Sequence, residues 1–489
     1  MFKEYRNVHI YLGKFLFIIS IAALLALIFN PLNSVLFHVD EYFTLGLIKY
    51  PLIHGILITA ADVHPPLYYI LLKVCVKLFS IFNFNNPLFI SKIITVVPYL
   101  FILLFAGTKV RNEYNWLTAG LFTFSLFSMS NFFISYLTIR MYSWVILFLV
   151  LSFIYLKDVI TRADLKSWTL FTLFTLLGAY THYYCAFSSV VLYFIVLLYF
   201  IYDDNFTKED IKKWLVSAFV LIIGYLPWAY ILLNQVIKVT QHFWIPPIDF
   251  NVFLKLLSCY ANSTSEIFTI TSIIFIIALL IIAILNIKQN NDPENNYILI
   301  GMLVFLFSVI LGVIVSILSQ PILLERYLLP ACAVFWFATS ILIGKLKNNK
   351  LFLILLVIIF IIGINGIFGI VSSVQSNYQL GTSDSNFLDE INNENCTVIG
   401  IGPSEVILFG TYLNESNVFT DSDSVYGVNY KDSDKLFNIK YSDNLNKTIT
   451  EHNGTDIYLV KHKNWENDLI DNNTEPCHII GKNYFYKYS

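Results

Sequence analysis

HVDEYFTLGLIKYPLIHGILITAADVHPPLYY, residues 38–69, is a loop carrying two acidic sites between long apolar runs. Asp40-Glu41 forms one site and Asp62 the other, with His38, His64 and the Pro65-Pro66 turn beside them. The surrounding chain is 57% hydrophobic. Ionisable groups held against a bilayer are costly, so a cluster of them marks a functional site by default. The remainder of the sequence reads as the scaffold that holds this loop.

Apolar content and a charged fraction of 13% indicate a polytopic membrane protein rather than a string of soluble domains. Runs of about 17–25 apolar residues, the length that crosses hydrocarbon, recur from the N-terminus to Val371. Eleven spans are expected, over 12–35, 88–108, 116–135, 142–157, 168–182, 184–201, 214–233, 266–287, 297–318, 328–345 and 350–371. Lysines and arginines of short loops stay cytoplasmic. Under this register Lys3/Arg6/Lys14, Lys109/Arg111, Lys157/Arg162/Lys166, Lys208/Lys212/Lys213, Lys288 and Lys345/Lys347/Lys350 all fall on one side. The N-terminus is then cytoplasmic. Beyond Val371 the character changes: the tail has 8 Lys and no Arg against 17 Asp plus Glu, a net of −9, while the rest nets +7. Two units follow, a membrane domain over 1–371 and an extracytoplasmic α/β domain over 372–489, in a multi-pass protein of the cell membrane.

Residues 66–82, PLYYILLKVCVKLFSIF, are nearly long enough to span, but a crossing there would export every basic cluster from Lys109 onward. Lys73 and Lys77 lie one turn apart and give the helix a polar stripe. The segment reads as an amphipathic helix in the outer interface, which makes 36–87 one large external loop. The basic start and the apolar run Phe15–Phe29 would also suit a signal peptide; with no small-residue cleavage site it reads as an anchor. In the tail, 396–402, 416–420, 456–462 and 478–488 read as strands and 404–413 as a helix. Sequons stand at Asn395, Asn414, Asn446, Asn453 and Asn472. Cys396 and Cys477 are the pair an oxidising exterior would permit to bridge, and spacing leaves that open. The IGIGP turn lacks the third spaced glycine of a nucleotide loop.

Asp40 and Glu41 follow the first span, where a carboxylate meets water and headgroups and can take a proton from a hydroxyl. The plain alternative is a cap on a short helix. Asp62 and His64 precede two prolines, which end one helix and aim the entry to the next; here too capping competes. Arg140, in TIRMYSW, and Arg326, in LLERYLLP, lie on the outer face against the charge trend. Each calls for an anion, and a lipid-linked phosphate suits the guanidinium fork. Snorkelling, or for Arg326 a pair with Glu325, is the alternative. Lys92 is a third cation of this kind. YTHYY (180–184) places His182 among Tyr180, Tyr183 and Tyr184, either as an interfacial aromatic belt or as a sugar-stacking wall. The loop 234–265, with Gln235, Gln241, His242, Trp244 and Pro246-Pro247, is positioned to cover such a site.

On these residues the chain resembles the polytopic GT-C glycosyltransferases of the protein O-mannosyltransferase and aminoarabinose-transferase kind, similar to glycosyltransferase family 39. The resemblance covers residues 1 to about 345. It rests on Asp40-Glu41, His64-Pro65-Pro66-Leu67-Tyr68-Tyr69, Arg140-Met141-Tyr142, Tyr180-Thr181-His182-Tyr183 and Arg326-Tyr327-Leu328-Leu329-Pro330. It implies a polyprenyl- or dolichyl-phosphate sugar as donor and an inverting transfer on the outer face. Asp40 would deprotonate the acceptor, Glu41 would support it or bind sugar, and Asp62 would orient the site. Arg140 and Arg326 would partner the lipid phosphate, with His64, Tyr68, Tyr142, His182, Tyr183 and Tyr327 lining the substrate. The acceptor, whether glycan, lipid or protein, stays open; the chain lacks the inserted β-trefoil of the eukaryotic protein mannosyltransferases.

A lipid-sugar flippase or transporter, the rival class, would place charges at mid-membrane on broken helices within an internal repeat. Here the charges gather at one face and no repeat is visible. An oligosaccharide polymerase or ligase would share the loop logic and differ in donor size. The sequence demands no cofactor and leaves a divalent cation possible. Asp40, Asp62 and His64 are ligand types a divalent cation accepts, without demanding one. Membrane lipids are expected partners and nucleic acid is not.

Overall fold

The structure, a computed structural model, describes residues 2–29, 39–130, 138–203, 206–239, 245, 247–262, 265–290, 292–393, 396–401, 413, 416–421, 424–425, 428–429, 439–462, 469–470, 474–480 and 483–488. The helices are α1 (Phe2–Phe29), α2 (Val39–Leu47), α3 (Leu52–Ala61), α4 (Leu67–Ile81), α5 (Pro87–Phe105), α6 (Trp116–Phe127), α7 (Tyr142–Arg162) and α8 (Leu165–Thr181). They continue with α9 (Tyr183–Tyr202), α10 (Lys208–Val239), α11 (Phe250–Ser258), α12 (Glu266–Gln289), α13 (Pro293–Leu318), α14 (Leu329–Lys345) and α15 (Asn349–Asn393). Many begin on a side-chain cap. Asn86, Asn115, Asp164, Asp249, Ser265 and Asp292 each accept a first-turn amide, and Pro87 and Pro293 occupy first-turn positions where no donor is lost.

Among the described residues nine helices are long and apolar enough to cross a membrane, which makes this a multi-pass membrane protein. The two remaining expected spans, 116–135 and 168–182, correspond to the 12-residue α6 and the 17-residue α8. Residues 131–135 of the former lie outside the described residues. α14 is the central helix, buried from Leu329 to Ile343, and α7 packs beside it. α10 keeps most of its apolar side chains exposed, and α12 exposes one apolar stripe that includes Ile267, Ile270, Ile274, Ile277 and Ile281, as a lipid-facing periphery does. α1 crosses α6 with backbones in contact. A Cβ on Gly13 would lie 2.2 Å from Trp116 O, and one on Gly120 would lie 2.1 Å from Gly13 O. Only glycine fits at this crossing.

The loop expected to lie outside folds as α2, α3 and α4. The segment expected to lie in the interface is the 15-residue α4. Its Lys73 donates to Ile48 O at 2.8 Å and Tyr50 O at 2.5 Å, carbonyls just past the end of α2. Lys77 is exposed.

The tail is a small sheet with strands β1 (Thr397–Ile401), β2 (Asn417–Thr420), β3 (Ser424–Val425), β4 (Val428–Asn429), β5 (Lys440–Tyr441), β6 (Ile457–His462), β7 (His478–Ile480) and β8 (Asn483–Tyr488). The six-stranded order is β5-β2-β1-β6-β8-β7, parallel through β5, β2, β1 and β6 and antiparallel at β8 and β7; β3 and β4 form a separate hairpin. The expected helix over 404–413 lies outside the described residues, apart from Leu413. β1 is buried throughout, as a strand covered on both faces must be. Val398, Tyr458, Val460 and Phe485 join one apolar cluster with Leu388 and Ile391 of α15 and with Phe43, Tyr50, Ile58 and Leu72 of the loop. Tail and loop therefore share a core. α15 runs unbroken across residue 371, so the boundary placed there from composition falls inside a helix. Cys396 and Cys477 are not bridged. They precede β1 and β7, with β6 and β8 between, which puts them on the order of 14 Å apart at the usual strand spacing. A disulfide needs Cα atoms within about 7 Å.

Candidate active site

Arg140 is the hub. It sits on the short turn before α7 and is 3% exposed. Its Nη1 donates to the Tyr69 hydroxyl at 3.0 Å and its Nη2 to His64 Nε2 at 2.9 Å. Its Nε lies 3.9 Å from Asp40 Oδ2. Burial opposes the guanidinium charge, but Tyr69, Asp40, Tyr142 and Asp62 around it outweigh that cost. Arginine offers only donors, so His64 Nε2 must accept and the ring proton rests on Nδ1. That nitrogen meets Asp62 Oδ2 at 3.0 Å. Burial alone would raise the Asp62 carboxyl. The hydrogen bond from His64 and the charge of Arg140 prevail and hold it below the usual carboxylate range.

Glu41 is 1% exposed, and its Oε1 accepts the amide of Ile139 at 2.8 Å. It therefore grips the backbone of the Arg140 turn. Asp40, one residue earlier in the first turn of α2, keeps 32% of its side chain exposed. Of these neighbouring carboxylates one is sealed and the other a third exposed.

A second wall is aromatic. His182 separates α8 from α9, ending one and capping the other: its Nδ1 accepts the amide of Tyr184 at 3.1 Å. The ring is therefore a neutral tautomer that presents Nε2–H. Around it stand Tyr327 at 5.0 Å, Tyr142 at 5.9 Å and His64 at 5.9 Å between ring centroids. Tyr184 stacks on Tyr327 at 5.1 Å, and Arg326 lies 5.7 Å from the Tyr327 ring centre. Among the described residues the buried hydroxyls of Tyr142 and Tyr184 have no hydrogen-bond partner, which marks them as groups awaiting one. Glu325 pairs with Lys255 at 3.1 Å.

Of the residues singled out from sequence, Asp40, Glu41, Asp62, His64, Arg140, Tyr142, His182, Arg326 and Tyr327 come together here. Tyr68 does not face this space; it is 1% exposed with its hydroxyl 3.4 Å from Thr95 Oγ1. Tyr183 turns its hydroxyl to Gln235, and Trp228 donates to it at 2.9 Å. Gln235 in turn donates to Thr59 O and Ala60 O, tying α10 to the last turn of α3. Tyr69 and Tyr184 were quoted within the motifs but were not among the residues given a substrate role. Each sits beside a singled-out tyrosine, and helical phase decides which of two neighbours points at the site. His38, Gln241, His242, Trp244 and Pro246 lie outside the described residues. Among the described residues no trio of His, Cys, Asp or Glu gathers as a metal site. Arg140 takes the His64 nitrogen that a cation shared with Asp40 would need.

No protein-family model matches the chain, and no curated protein matches it significantly. Among solved structures it superposes on ArnT from Cupriavidus metallidurans in the apo state with a TM-score of 0.61 at 11% identity, covering 96% of this chain and 97% of that one. The same protein bound to undecaprenyl phosphate gives a TM-score of 0.56 at 10% identity, covering 91% and 92%. The whole-length superposition gives this chain the fold of ArnT, a GT-C fold.

Proposed function

We propose that the chain is an inverting glycosyltransferase that moves a sugar from a polyprenyl- or dolichyl-phosphate donor to an acceptor hydroxyl on the outer face of the membrane. The observation that carries this reading is the pairing of Asp40, a third exposed, with buried Arg140 beside the aromatic wall. Superposition on ArnT bound to undecaprenyl phosphate supports the donor class. In the proposed step the acceptor hydroxyl gives its proton to Asp40 while its oxygen attacks the anomeric carbon. The bond from that carbon to the phosphate oxygen breaks, and the lipid phosphate leaves with the electron pair. A single displacement inverts the centre. Arg326 and the neutral His182 N–H stabilise the phosphate, so a separate general acid is unnecessary. Tyrosine rings stack on the sugar face and their hydroxyls bond its rim.

The test is sugar release from radiolabelled polyprenyl-phosphate monosaccharides by the purified full-length protein and by Asp40→Asn. Loss of a general base costs about 10²–10⁴-fold, so the variant should retain a per cent of turnover or less while still binding lipid phosphate. Equal turnover by the variant, or none by wild type with any donor, would sink the reading.

A further inference from the structure

Arg140 and Arg326 look interchangeable as outer-face cations. The geometry points to different jobs: Arg140 is a positioning residue that aims Asp40, with Glu41 and Asp62 acting through it, and of the two arginines only Arg326 receives the lipid phosphate. A guanidinium binds phosphate through a fork of two parallel N–H groups. In Arg140 both terminal nitrogens donate to protein acceptors, Tyr69 and His64, and the remaining Nε edge faces Asp40. The side chain is 3% exposed. An anion seated on it would displace Asp40 or break the bond to His64.

The supports are built from two sides. Glu41 fixes the backbone through the Ile139 amide, next in sequence to Arg140. Asp62 fixes the guanidinium through His64, because its carboxylate holds the tautomer whose Nε2 accepts from Arg140. Pro65-Pro66 anchors that pair at the start of α4. With Glu41 1% exposed and Asp62 bonded to His64, the three acidic residues divide into one chemical group, Asp40, and two supports. Arg326 also faces Asp40 and is hydrogen-bonded to Tyr327, but it is not sealed as Arg140 is. It lies half-buried above the ring of Tyr327, on the short turn Glu325–Leu328 that leads into α14.

This inference rests on the proposed transfer reaction, and the test separates the two. Undecaprenyl phosphate binding and sugar release are measured on purified full-length Arg140→Gln, Arg326→Gln, His64→Gln and His64→Asn. Arg140→Gln should bind undecaprenyl phosphate within about threefold of wild type while kcat falls about 100-fold or more, the mark of a group that acts in the transition state only. Arg326→Gln should weaken binding about tenfold or more, the cost of one charged hydrogen bond. Asp40 is faced by Arg140, by Arg326 and Tyr327 before α14, by Tyr142 on α7 and by Tyr69 on α4. Removing the Arg140 charge should move the acid limb of kcat upward by about 1–3 pH units. The glutamine at position 64 places its oxygen where Nε2 accepts, whereas asparagine preserves only the contact with Asp62. His64→Gln should therefore keep more kcat than His64→Asn, and this pair decides if Arg140→Gln is not monodisperse. Loss of lipid phosphate binding in Arg140→Gln matching that in Arg326→Gln would overturn the inference, as would His64→Asn outperforming His64→Gln. Wild type that binds no undecaprenyl phosphate would instead sink the transfer reading, and this inference with it.

Discussion

Asp62 carries a testable consequence apart from catalysis. Its carboxyl is held below the usual range by His64 and Arg140, against the opposing effect of burial. A depressed carboxylate stabilises the fold above the ordinary carboxylate range and loses that contribution as pH falls through the folded value. At neutral pH Asp62→Asn should lower stability by about 1–3 kcal/mol, the worth of a hydrogen bond to a charged group. Thermal unfolding of wild type and variant, scanned from pH 7 to about pH 3, should show the gap closing on the acid side. A gap that stays constant, or widens, would mean the carboxylate contributes through packing alone. This residue also shows how far sequence reading reaches. Asp62 and His64 were legible as a unit because two prolines follow them. Their partner, Arg140, is 76 residues away from His64, and no local pattern predicts which nitrogen faces which.

The elements were legible where hydrophobicity alone decides them. Eleven spans were expected, and each corresponds to a helix; the sheet in the tail followed from its buried apolar runs. Less visible was what sets the helices against each other. Gly13 and Gly120 carry no chemical signal, yet their backbones touch. Valine at 120 would bring its Cβ to 2.1 Å from Gly13 O, a contact with backbone that no rotamer relieves. Gly120→Val should cost about 3 kcal/mol or more, beyond usual overpacking, and yield little monodisperse protein in detergent. Size-exclusion profiles of Gly120→Ala and Gly120→Val should worsen in that order, and a normal profile for the valine would refute the tight crossing. The continuation of α15 past residue 371 escaped composition for a different reason. Its apolar stretch ends there, but the helix goes on to supply Leu388 and Ile391 to the tail's core.

Across the whole molecule, polar groups collect in two layers. One holds the Asp40–Arg140 site at the start of α7. The other lies around that helix's far end, where Lys109 meets Asp158 at 2.8 Å, Lys157 meets Glu294 at 3.0 Å and Lys345 bridges Glu294 at 2.7 Å and Asp292 at 3.0 Å. α7 has 21 residues, about 32 Å at 1.5 Å per residue, and this matches the thickness of a bilayer core. The second layer contains the clusters that the charge rule assigns to the cytoplasm, so the site and the acidic tail should face outward. The chain supplies its own reporter. Cys477 is exposed in the tail, Cys75 is partly covered, and Cys185, Cys259, Cys332 and Cys396 are buried. A membrane-impermeant maleimide applied to intact cells should label the wild type without prior reduction, and Cys477→Ser should remove most of that label. Lys347→Cys, introduced beyond α14 at the end opposite the site, should react only after permeabilisation. Label at Lys347→Cys from outside would invert the topology and put the proposed transfer on the cytoplasmic face. Label at Cys477 that appears only after a reductant would instead leave the topology standing and show that this thiol is oxidised, against the strand order that separates it from Cys396.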